Sequence, residues 1–406
     1  MAVFICTAFG MQAFAWMWLY GVFGVAGVGY WFFDLNDISY YYQMYVVRMA
    51  QGLVPYRDFF IEYPPLFALL VAVPGTHGDE FGYMARFAIL MMVLMATACV
   101  VTALAALDGA GLRRSYLVAA VFSGYTLLLG PIAANRYDAA VALVLAAVAL
   151  FMARNYWVAV ALTIGVGFAL KVTPALLLPL VLILAPPKQT MKMVMSFALS
   201  ATVPFIWVLQ MGQDSRLNLT KMFAYHLDRP LEIESVLATP FWIAKLLGMT
   251  PVVVGQAAGS QVIISAAADV AASLSIGVLV VAMGAALMLV WRRRHAIAMS
   301  TSLQSLAVLA ILLASLVASK VLSPQYFVWI IPIVALVAVD RRVLGVLMAA
   351  VLLLTHIEFP ANYWQFAQMQ ANGAVSIVIV RNLILLVAFA LSLWSLWKIP
   401  DVRSAG

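Results

Sequence analysis

The first loop of the chain concentrates ionisable side chains directly after a segment that has none. Residues 1–33 contain no Asp, Glu, Lys or Arg, whereas charged residues recur between positions 34 and 62. Ionisable groups are costly beside hydrocarbon, so a cluster of them next to an apolar segment indicates a functional site, and handling a polar substrate explains it best. The charged residues of this loop are Asp34, Asp37, Arg48, Arg57, Asp58 and Glu62.

The two aspartates that open this loop have two available roles. Asp34 and Asp37 both precede a helix-like run, and a side-chain oxygen at that place commonly caps a helix. Two aspartates cannot both be the same cap, so at least one is available for chemistry. The run that follows is mildly amphipathic and rich in tyrosine, which favours a headgroup boundary. We therefore predict an interfacial helix in the first loop.

The segment EYPPL at 62–66 predicts a rigid junction. Tandem prolines disfavour helix in the residue before them and fix their own φ, while Pro65 can begin the next helix. The apolar stretch 66–73 is too short to span a bilayer. Glu62 and Tyr63 are therefore expected to be held rigidly at the start of a short helix, although a plain loop-to-helix junction has the same pattern.

Charged residues also occur at the ends of later apolar runs. Arg136 and Asp138 flank Tyr137, and an ion pair between the two is the simplest explanation. Lys171 and Lys320 each follow an apolar run and precede a proline, and a lysine that extends to the membrane interface explains either one alone.

The segment YHLDRPLEIES at 225–235 holds the densest of the later groups. Pro230 interrupts any helix there, so we predict a loop with several hydrogen-bond donors and acceptors. Its ionisable residues include His226, Arg229, Glu232 and Glu234.

Metal and disulfide chemistry receive little support from the sequence. No HxxxH or His-rich spacing indicates a zinc site, so we expect no metal. An oxygen-ligand site built from Asp37, Glu62 or Glu232 is the alternative. Cys6 and Cys99 both lie in apolar runs, which argues against a disulfide framework.

The composition identifies a polytopic membrane protein. Hydrophobic residues make up 66% of the 406, charged residues only 10%, and the mean hydropathy is +1.04. A soluble protein could not divide such a composition between core and surface. The net charge of +7 reflects the distribution of charge across a membrane, and no nucleic-acid partner is expected.

Hydrophobic runs predict about twelve transmembrane helices, since each tilted span needs about 20 apolar residues. The first run lacks the basic front region of a secretory signal, so we expect a retained span. The pair flanking Lys171 and Pro174 could instead be one broken helix. The predicted spans are 5–32, 84–107, 115–131, 138–153, 156–170, 174–187, 193–212, 262–290, 298–318, 325–339, 343–358 and 375–397.

The distribution of basic residues predicts which loops face the cytoplasm. With both termini cytoplasmic, the positive-inside rule is satisfied, because the cytoplasmic side then carries 12 of the 23 basic residues against three acidic ones. The opposite orientation would place the RRRH tract at 292–295 outside. The cytoplasmic basic residues are then Arg113, Arg114, Arg154, Lys188, Lys192, Arg292, Arg293, Arg294, Arg341, Arg342, Lys398 and Arg403, against Asp108, Asp340 and Asp401.

In this topology the polar segments all emerge on the extracytoplasmic face. We expect one transmembrane domain over 1–406, with a first extracytoplasmic loop at 34–65 and a large one at 213–261. An apolar patch at 236–249 indicates an interfacial or re-entrant helix in the second loop. The cations that share this face favour a phosphate group at the membrane boundary, and a lipid phosphate is the natural occupant. These cations are Arg57, Arg136, Lys171, Arg229 and Lys320.

Several segments in order along the chain resemble glycosyltransferase family 87 of the GT-C superfamily, which includes polyprenol-phosphate-mannose-dependent α-mannosyltransferases. They cover most of the chain, and their order makes the match more specific than any one of them. The segments are DISYY at 37–41, GLVPYRDFFIEYPPL at 52–66, NRYDAAVAL at 135–143, LKVTPALLLPL at 170–180, YHLDRPLEIES at 225–235 and KVLSPQYFVWIIP at 320–332.

The resemblance implies an all-α polytopic integral membrane protein of GT-C type and an inverting sugar transfer at the extracytoplasmic surface. It implies a polyprenyl-phosphate-linked sugar donor, which is a substrate, and no cofactor. It also implies an essential aspartate in the first loop, which the motif position assigns to Asp37, with Asp34 as second choice. We expect the other site residues to fall into two groups. Those binding the donor phosphate are His226, Arg229, Lys320, Lys171 and Arg57, and those positioning sugar or acceptor are Glu62, Tyr63, Arg136, Asp138, Glu234 and Gln325.

Two other classes of membrane protein compete with this interpretation. A secondary transporter also places polar groups among proline-broken helices, but its site is generally near the midplane. A lipid-linked glycan ligase or polymerase is the nearer alternative. Mannose is expected from the resemblance alone, with a pentose as an alternative, and the acceptor is expected to be a glycolipid or glycan at a bacterial plasma membrane. The other partners expected are membrane lipids.

Overall fold

The computed structural model of the chain describes residues 2–19, 37–75 and 80–400. Helices dominate these residues, and the chain divides into two compact units. The first unit comprises residues 1–227 and 328–336, and the second comprises 228–327 and 337–406.

Nine helices, α1 to α9, are described in the first unit. Short 3₁₀ turns connect several of them, at Gly130–Ala133, Thr173–Leu177 and Pro187–Gln189. The helices are α1 (Ala2–Leu19), α2 (Gln43–Ala50), α3 (Pro65–Ala72), α4 (Glu80–Leu129), α5 (Asp138–Ala153), α6 (Trp157–Leu170), α7 (Leu178–Leu184), α8 (Thr190–Leu209) and α9 (Gln213–Leu227).

The elements described from Asp228 onward continue the numbering, and they include a small β-hairpin. Residues 328–336 of α13 belong to the first unit. The elements are α10 (Thr239–Leu246), β1 (Val254–Ala257), β2 (Ser260–Ile263), α11 (Ala266–Ala298), α12 (Thr301–Ala318), α13 (Tyr326–Asp340), α14 (Arg342–His356), α15 (Tyr363–Ala367) and α16 (Asn372–Trp397).

Seven helical segments among the described residues are long and apolar enough to cross a membrane. They confirm the prediction of an all-α polytopic integral membrane protein, and shorter apolar helices account for the other predicted spans within the described ranges. The seven are Gly82–Leu107, Gly111–Ala133, Pro187–Leu209, Ala266–Ala298, Thr301–Ala318, Arg342–Ala361 and Asn372–Trp397.

Two of the predicted boundaries need physical comment. Helix α4 contains two spans, because Gly111 adopts a left-handed φ of 80° that interrupts the helix between them. The predicted span 262–290 is wrong at both ends. Residues 260–263 form β2, Ser265 caps the helix by accepting a hydrogen bond from the Ala268 amide, and the helix continues to Ala298.

The helix pair around Lys171 is broken, as the sequence left open. Helix α6 ends at Leu170, and Lys171 is extended, with φ −156° and ψ 132°. A 3₁₀ turn with Pro174 in its first turn follows, and α7 completes the segment. The 14 residues of α6 extend only about 21 Å, so it is shorter than the hydrocarbon thickness.

Close helix packing in the first unit depends on a small residue. Helices α6 and α8 approach so closely at Gly165 that a Cβ there would lie 2.1 Å from Ser200 Oγ. The Ser200 hydroxyl in turn donates to the Leu162 carbonyl oxygen at 3.0 Å. Small and hydroxyl-bearing residues are the usual means of bringing membrane helices into contact.

The first loop forms the predicted helix, but part of its aromatic face turns inward. A π-helix over Ile38–Tyr42 continues into α2. Tyr40 is exposed, whereas Tyr42 and Tyr45 are buried, so these two rings pack in the protein instead of at a headgroup boundary. The part of the predicted first span that follows Leu19 lies outside the described residues, as does Asp34.

In the second unit, the hairpin and the segment before it form a small sheet that the sequence did not indicate. Strands β1 and β2 pair antiparallel. Leu231 and Ile233 add a third row by hydrogen bonds with Ile263 and Gln261, respectively. The apolar patch 236–249 becomes a 3₁₀ turn and α10, whose Trp242 is fully buried and donates to the Ile233 carbonyl oxygen at 2.7 Å.

Candidate functional site

The first loop is fixed by hydrogen bonds within the first unit. Tyr56 adopts a left-handed φ of 65°, which turns the chain back on itself, and its buried hydroxyl donates to the Tyr63 carbonyl oxygen at 2.7 Å. From α9, the Asn218 amide donates to the Tyr56 carbonyl oxygen at 2.7 Å. Pro65 lies in the first turn of α3, as predicted. Hydrogen bonds therefore hold the loop in place beside the start of α3 and against α9.

Asp37 forms an ion pair with Arg136. It lies at the start of the π-helix but makes no capping hydrogen bond with its side chain, so capping does not explain it. Its Oδ2 lies 2.9 Å from Nε of Arg136, and the two side chains are 21% and 7% exposed, respectively. Nη1 of Arg136 donates to the backbone oxygen of Asn135 at 3.0 Å and to its Oδ1 at 3.2 Å. A buried, oriented guanidinium thus meets a carboxylate that stays accessible.

Asp138 and Lys171 form a second, more deeply buried pair. Lys171 Nζ lies 2.5 Å from Asp138 Oδ1, and the side chains are 13% and 1% exposed. The same ammonium lies 5.1 Å from the centre of the Tyr137 ring. Lys171 is therefore largely buried and pairs with Asp138. Arg136 and Asp138 each have a partner on another segment, Asp37 for Arg136 and Lys171 for Asp138.

Aromatic rings pack between these charged groups. The Tyr63 ring lies 4.2 Å from that of Phe67 and 5.1 Å from that of Tyr137, and the Tyr42 ring lies 5.2 Å from Phe67. Burial raises the pKa of Tyr42 well above its usual range, and the nearby Asp37 carboxylate raises it further. Among the described residues, the buried Tyr42 hydroxyl has no hydrogen-bond partner. The site therefore has a neutral, apolar wall.

Glu62 connects α2 with α9. The Tyr45 hydroxyl donates a short hydrogen bond to Glu62 Oε2, and burial followed by the Glu62 charge raises the pKa of Tyr45. His226, in the last turn of α9, places Nε2 2.8 Å from the Glu62 carbonyl oxygen. The structure thus brings His226 of α9 to Glu62 of the first loop. The roles predicted for Glu62, Tyr63 and His226 stay predictions.

Arg57 is committed to its neighbour in the exposed part of the loop. Its Nε and Nη2 donate to the two carboxylate oxygens of Asp58 at 2.9 and 2.8 Å. Hydrogen bonds from Arg57 and then from the Val54 amide lower the pKa of Asp58 to about 2. The contact of Arg57 with a donor phosphate stays a prediction.

In the second unit, Glu232 ties two predicted site segments together. Its backbone amide donates to the Lys320 carbonyl oxygen at 2.9 Å. Its carboxylate accepts from the Leu322 amide at 2.6 Å and from the Ser323 hydroxyl at 3.1 Å, and it is 2% exposed. Arg229 Nη2 lies 3.8 Å from the same carboxylate and donates to Ser260 Oγ at 2.8 Å. Glu232 therefore determines where Lys320 and Arg229 lie within the unit.

Lys320 is partly buried and has Arg229 and Asp228 as charged neighbours. Burial lowers the pKa of Lys320, Asp228 raises it, and Arg229 lowers it again. Asp228 is the stronger of the two charged neighbours of Lys320. The contact of Lys320 and Arg229 with a donor phosphate stays a prediction.

A buried polar network that the sequence analysis missed lies beside this segment. Arg381 is fully buried within α16, where Nη2 donates to the Glu234 carbonyl oxygen at 2.6 Å and Nη1 lies 3.5 Å from Glu358 Oε2. The Asn382 amide donates to the same Glu234 oxygen at 3.3 Å and to the Ser235 carbonyl oxygen at 3.1 Å. A single arginine inside an apolar span was the available signal.

Glu234 lies within this network and not at an open surface. Its side chain is 3% exposed, and burial, followed by the charges of Glu358 and Glu232, raises its pKa well above the usual range. Gln325 is half-buried at the start of α13. The contacts predicted for both with a sugar or acceptor stay predictions.

No group of three or more His, Cys, Asp or Glu side chains within residues 2–19, 37–75 and 80–400 is arranged to hold a metal ion. Among the acidic side chains described above, Asp37 is partnered with arginine, Asp138 with lysine, Glu62 with tyrosine and Glu232 with a backbone amide. The chemistry that these groups can perform without further components is proton abstraction by a carboxylate and stabilisation of an anion by cations.

The sequence model of Glycosyltransferase family 87 matches residues 60–324, which is well over half of the chain. The chain belongs to glycosyltransferase family 87. It is thus a membrane glycosyltransferase, which confirms the resemblance at the level of the family. No curated protein matches the chain.

The matched region of this family 87 member includes most of the site residues described above. It extends from just before the EYPPL segment to the proline of KVLSP, and so contains Glu62, Arg136 and Arg229. Asp37 precedes it, and Arg381 follows it. Arg136, which pairs with Asp37, thus lies in the matched region, whereas Arg381, which donates to the Glu234 carbonyl oxygen, lies beyond it.

Proposed function

We propose that this family 87 member transfers a single sugar from a polyprenyl-phosphate donor to a hydroxyl group of a glycolipid or glycan. We propose that mannose is the sugar and that the reaction inverts the anomeric centre. The site faces the extracytoplasmic side of a bacterial plasma membrane, and both termini face the cytoplasm. The basic residue distribution supports this sidedness.

The Asp37–Arg136 ion pair is the observation that carries this proposal. General-base catalysis requires an ionised carboxylate that an acceptor hydroxyl can reach. Asp37 keeps 21% of its side chain exposed, while Arg136 favours its charged form from a buried position 2.9 Å away. Two other carboxyl groups of the first unit are engaged by neighbouring side chains. Asp138 is 1% exposed and bound to Lys171, and Glu62 is bound by Tyr45.

The proposed reaction is a single displacement. Asp37 accepts the proton of the acceptor hydroxyl as that oxygen forms a bond to the anomeric carbon of the sugar. The bond between this carbon and the phosphate oxygen breaks, and its electron pair leaves with the polyprenyl phosphate. Cations stabilise the charge that develops on the leaving phosphate, so the reaction as proposed uses no resident cofactor or metal ion.

Arg229 and Lys320 are the residues we propose for binding that phosphate, with His226 and Lys171 as further candidates. Arg229 is 13% exposed and oriented by Ser260 and Glu232, so little side-chain entropy is lost when it binds an anion. Lys171 already neutralises Asp138, which leaves it less charge to offer a second anion.

Radiolabelled polyprenyl-phosphate-mannose incubated with membranes containing the protein tests the proposal. We expect label to enter a glycolipid or glycan one sugar residue at a time. A labelled polyprenyl-phosphate-pentose donor is the comparison, and we expect less transfer from it than from the mannose donor. Transfer of a preassembled block would support a ligase or polymerase, and movement of donor without covalent product would support a transporter. Either result would overturn the proposed reaction.

Replacing Arg229 by alanine is expected to weaken use of the donor. A charge-assisted hydrogen bond contributes about 1.5–3 kcal/mol, so the KM for polyprenyl-phosphate-mannose should rise roughly tenfold to hundredfold. Initial rates measured over a range of donor concentrations, with purified protein in detergent, provide the measurement.

The matched control for this variant is Arg216→Ala, which removes the same charge from an exposed position on α9. It should leave the donor KM near the wild-type value. An Arg229→Ala protein with an unchanged donor KM would remove Arg229 from the phosphate site, whereas a loss of folded protein would point to its contacts with Ser260 and Glu232.

Lys320 gives the donor interaction a predicted pH dependence. Because burial and Arg229 lower the pKa of Lys320, it loses its proton at a lower pH than an exposed lysine. A phosphodiester keeps its single negative charge throughout, so the donor KM should rise with increasing pH, and the rise should begin at a lower pH than an exposed lysine would give. In Lys320→Arg, the guanidinium stays charged and this rise should disappear.

Donor KM values measured at several pH values for wild type, Lys320→Arg and Lys221→Arg check this prediction. Lys221 is an exposed residue of α9, and its substitution should preserve the wild-type rise. A donor KM that does not change with pH in the wild type, or that rises equally in Lys320→Arg, would contradict the assignment.

A further inference from the structure

We propose that Arg136 is a positioning residue for the carboxylate of Asp37 and does not act by contacting a sugar. The inference rests on the proposed role of Asp37 as the general base. Arg136, from the NRYD segment, orients Asp37 of the first loop and keeps its carboxylate ionised. The two segments then act together in catalysis.

The geometry of Arg136 favours support of a neighbour over direct contact with substrate. The side chain is 7% exposed, which leaves little of it for a ligand, whereas Asp37 is three times as exposed. Nη1 is held by the backbone and side-chain oxygens of Asn135, and Nε lies 2.9 Å from Asp37 Oδ2. Asn135 thus holds the guanidinium in place, and the guanidinium forms an ion pair with the Asp37 carboxylate.

Other charged groups lie around the pair of Arg136 and Asp37. Lys171 is bound to Asp138 through a 2.5 Å contact, so its charge is already matched. Glu62 and Asp138 lie close enough to influence the same buried hydroxyl, that of Tyr42, as Asp37 and Arg136 do. Without Arg136, Asp37 would lose the cation 2.9 Å from its Oδ2 while the Glu62 carboxyl group stays nearby, and this would favour its protonated form.

Removal of the guanidinium should therefore change when Asp37 accepts a proton. An opposite charge beside an aspartate changes its protonation midpoint by about 1–3 pH units. In Arg136→Gln, we expect the acid limb of the kcat/KM profile to move upward by roughly 1–2 pH units and kcat at neutral pH to fall at least about tenfold. Arg136→Lys keeps the charge but not the planar fork, so the acid limb should return towards its wild-type position while kcat stays reduced.

Two measurements on full-length purified protein test this inference. The first is the pH profile of transfer from radiolabelled polyprenyl-phosphate-mannose to endogenous acceptors in reconstituted membrane extract, with the donor KM determined at each pH. The second is infrared difference spectroscopy, in which subtraction of Asp37→Asn spectra isolates the carboxyl band of Asp37 in the wild-type and the Arg136→Gln backgrounds. Arg154→Gln, an exposed charge loss at the opposite end of α5, is the matched control.

Each outcome distinguishes the inference from the proposed function. A higher protonation midpoint for Asp37 in Arg136→Gln, with an unchanged donor KM, supports the inference. A raised donor KM with an unmoved midpoint overturns it and assigns Arg136 to the sugar. The infrared midpoint does not depend on transfer, so an inactive wild type would overturn the proposed reaction while the coupling is still measured. If Arg136→Gln does not fold, the Arg136→Lys variant decides. A fall in kcat with an unmoved midpoint and donor KM supports positioning, and a raised donor KM overturns it.

Discussion

Asp37→Asn is expected to abolish sugar transfer while the protein still inserts and purifies normally. Asparagine keeps the size of the side chain and its contact with Arg136 in part, but its amide cannot accept the proton of an acceptor hydroxyl. General-base catalysis contributes about 10²–10⁴-fold to rate, so transfer of label should fall by at least about a hundredfold. The measurement is incorporation of radiolabelled mannose from polyprenyl-phosphate-mannose, normalised to the amount of folded protein.

Asp214→Asn is the matched control for this substitution. It makes the same chemical change at an exposed position in the first turn of α9 and should retain wild-type activity within about twofold. A wild-type rate in Asp37→Asn would contradict the assignment, and Asp34→Asn would then be the variant to measure. A variant that does not purify would be replaced by Asp37→Glu, in which slow but measurable transfer is expected.

Local patterns in the sequence predicted the parts of the site that depend on local rules. The tandem prolines at 64 and 65 fix the start of α3, because a proline can occupy the first turn of a helix but restricts the residue before it. The apolar runs placed most spans within a few residues of the observed helices, since hydropathy alone requires them. These features follow from chemistry within a few residues of each other.

Pairing between distant residues could not be predicted in the same way. Arg136 has Asp138 two residues away, and the sequence suggested that pair, yet the structure also gives Arg136 to Asp37 and Asp138 to Lys171. Which carboxylate meets which cation depends on how helices pack, and hydropathy does not contain that information. The strand row at Leu231–Ile233 was missed for the same reason, because its partner lies beyond a loop.

Arg381→Met is the substitution expected to have the largest effect on stability. Arg381 and Glu358 are both fully buried, with Nη1 3.5 Å from Oε2, and Arg381 also donates to the Glu234 carbonyl oxygen. Removal of one partner leaves an uncompensated charge in a low-dielectric interior, which costs about 3–5 kcal/mol. We therefore expect a clear fall in the thermal midpoint of the detergent-solubilised protein, measured by the loss of its monodisperse peak on size-exclusion chromatography after heating.

Two further variants separate charge from packing in this network. Arg292→Met makes the same change at an exposed position of α11 and should alter stability by no more than about 0.5 kcal/mol. Arg381→Met/Glu358→Met removes both charges, and such apolar replacements are often neutral, so most of the lost stability should return. If the double variant is as unstable as the single one, the hydrogen bond from Arg381 to the Glu234 carbonyl oxygen is the stabilising contact instead.

This buried network can affect donor binding through the segment that contains Glu232 and Glu234. Arg381 and Asn382 hold the Glu234 backbone oxygen, and Glu232 in the same segment holds Lys320 and approaches Arg229. Hydrogen bonds from buried side chains to a backbone oxygen restrict the conformations of the segment that carries it. Arg381→Met should therefore also raise the donor KM at temperatures at which the protein is still folded. An unchanged donor KM at such a temperature would show that the cations of this segment keep their places without Arg381.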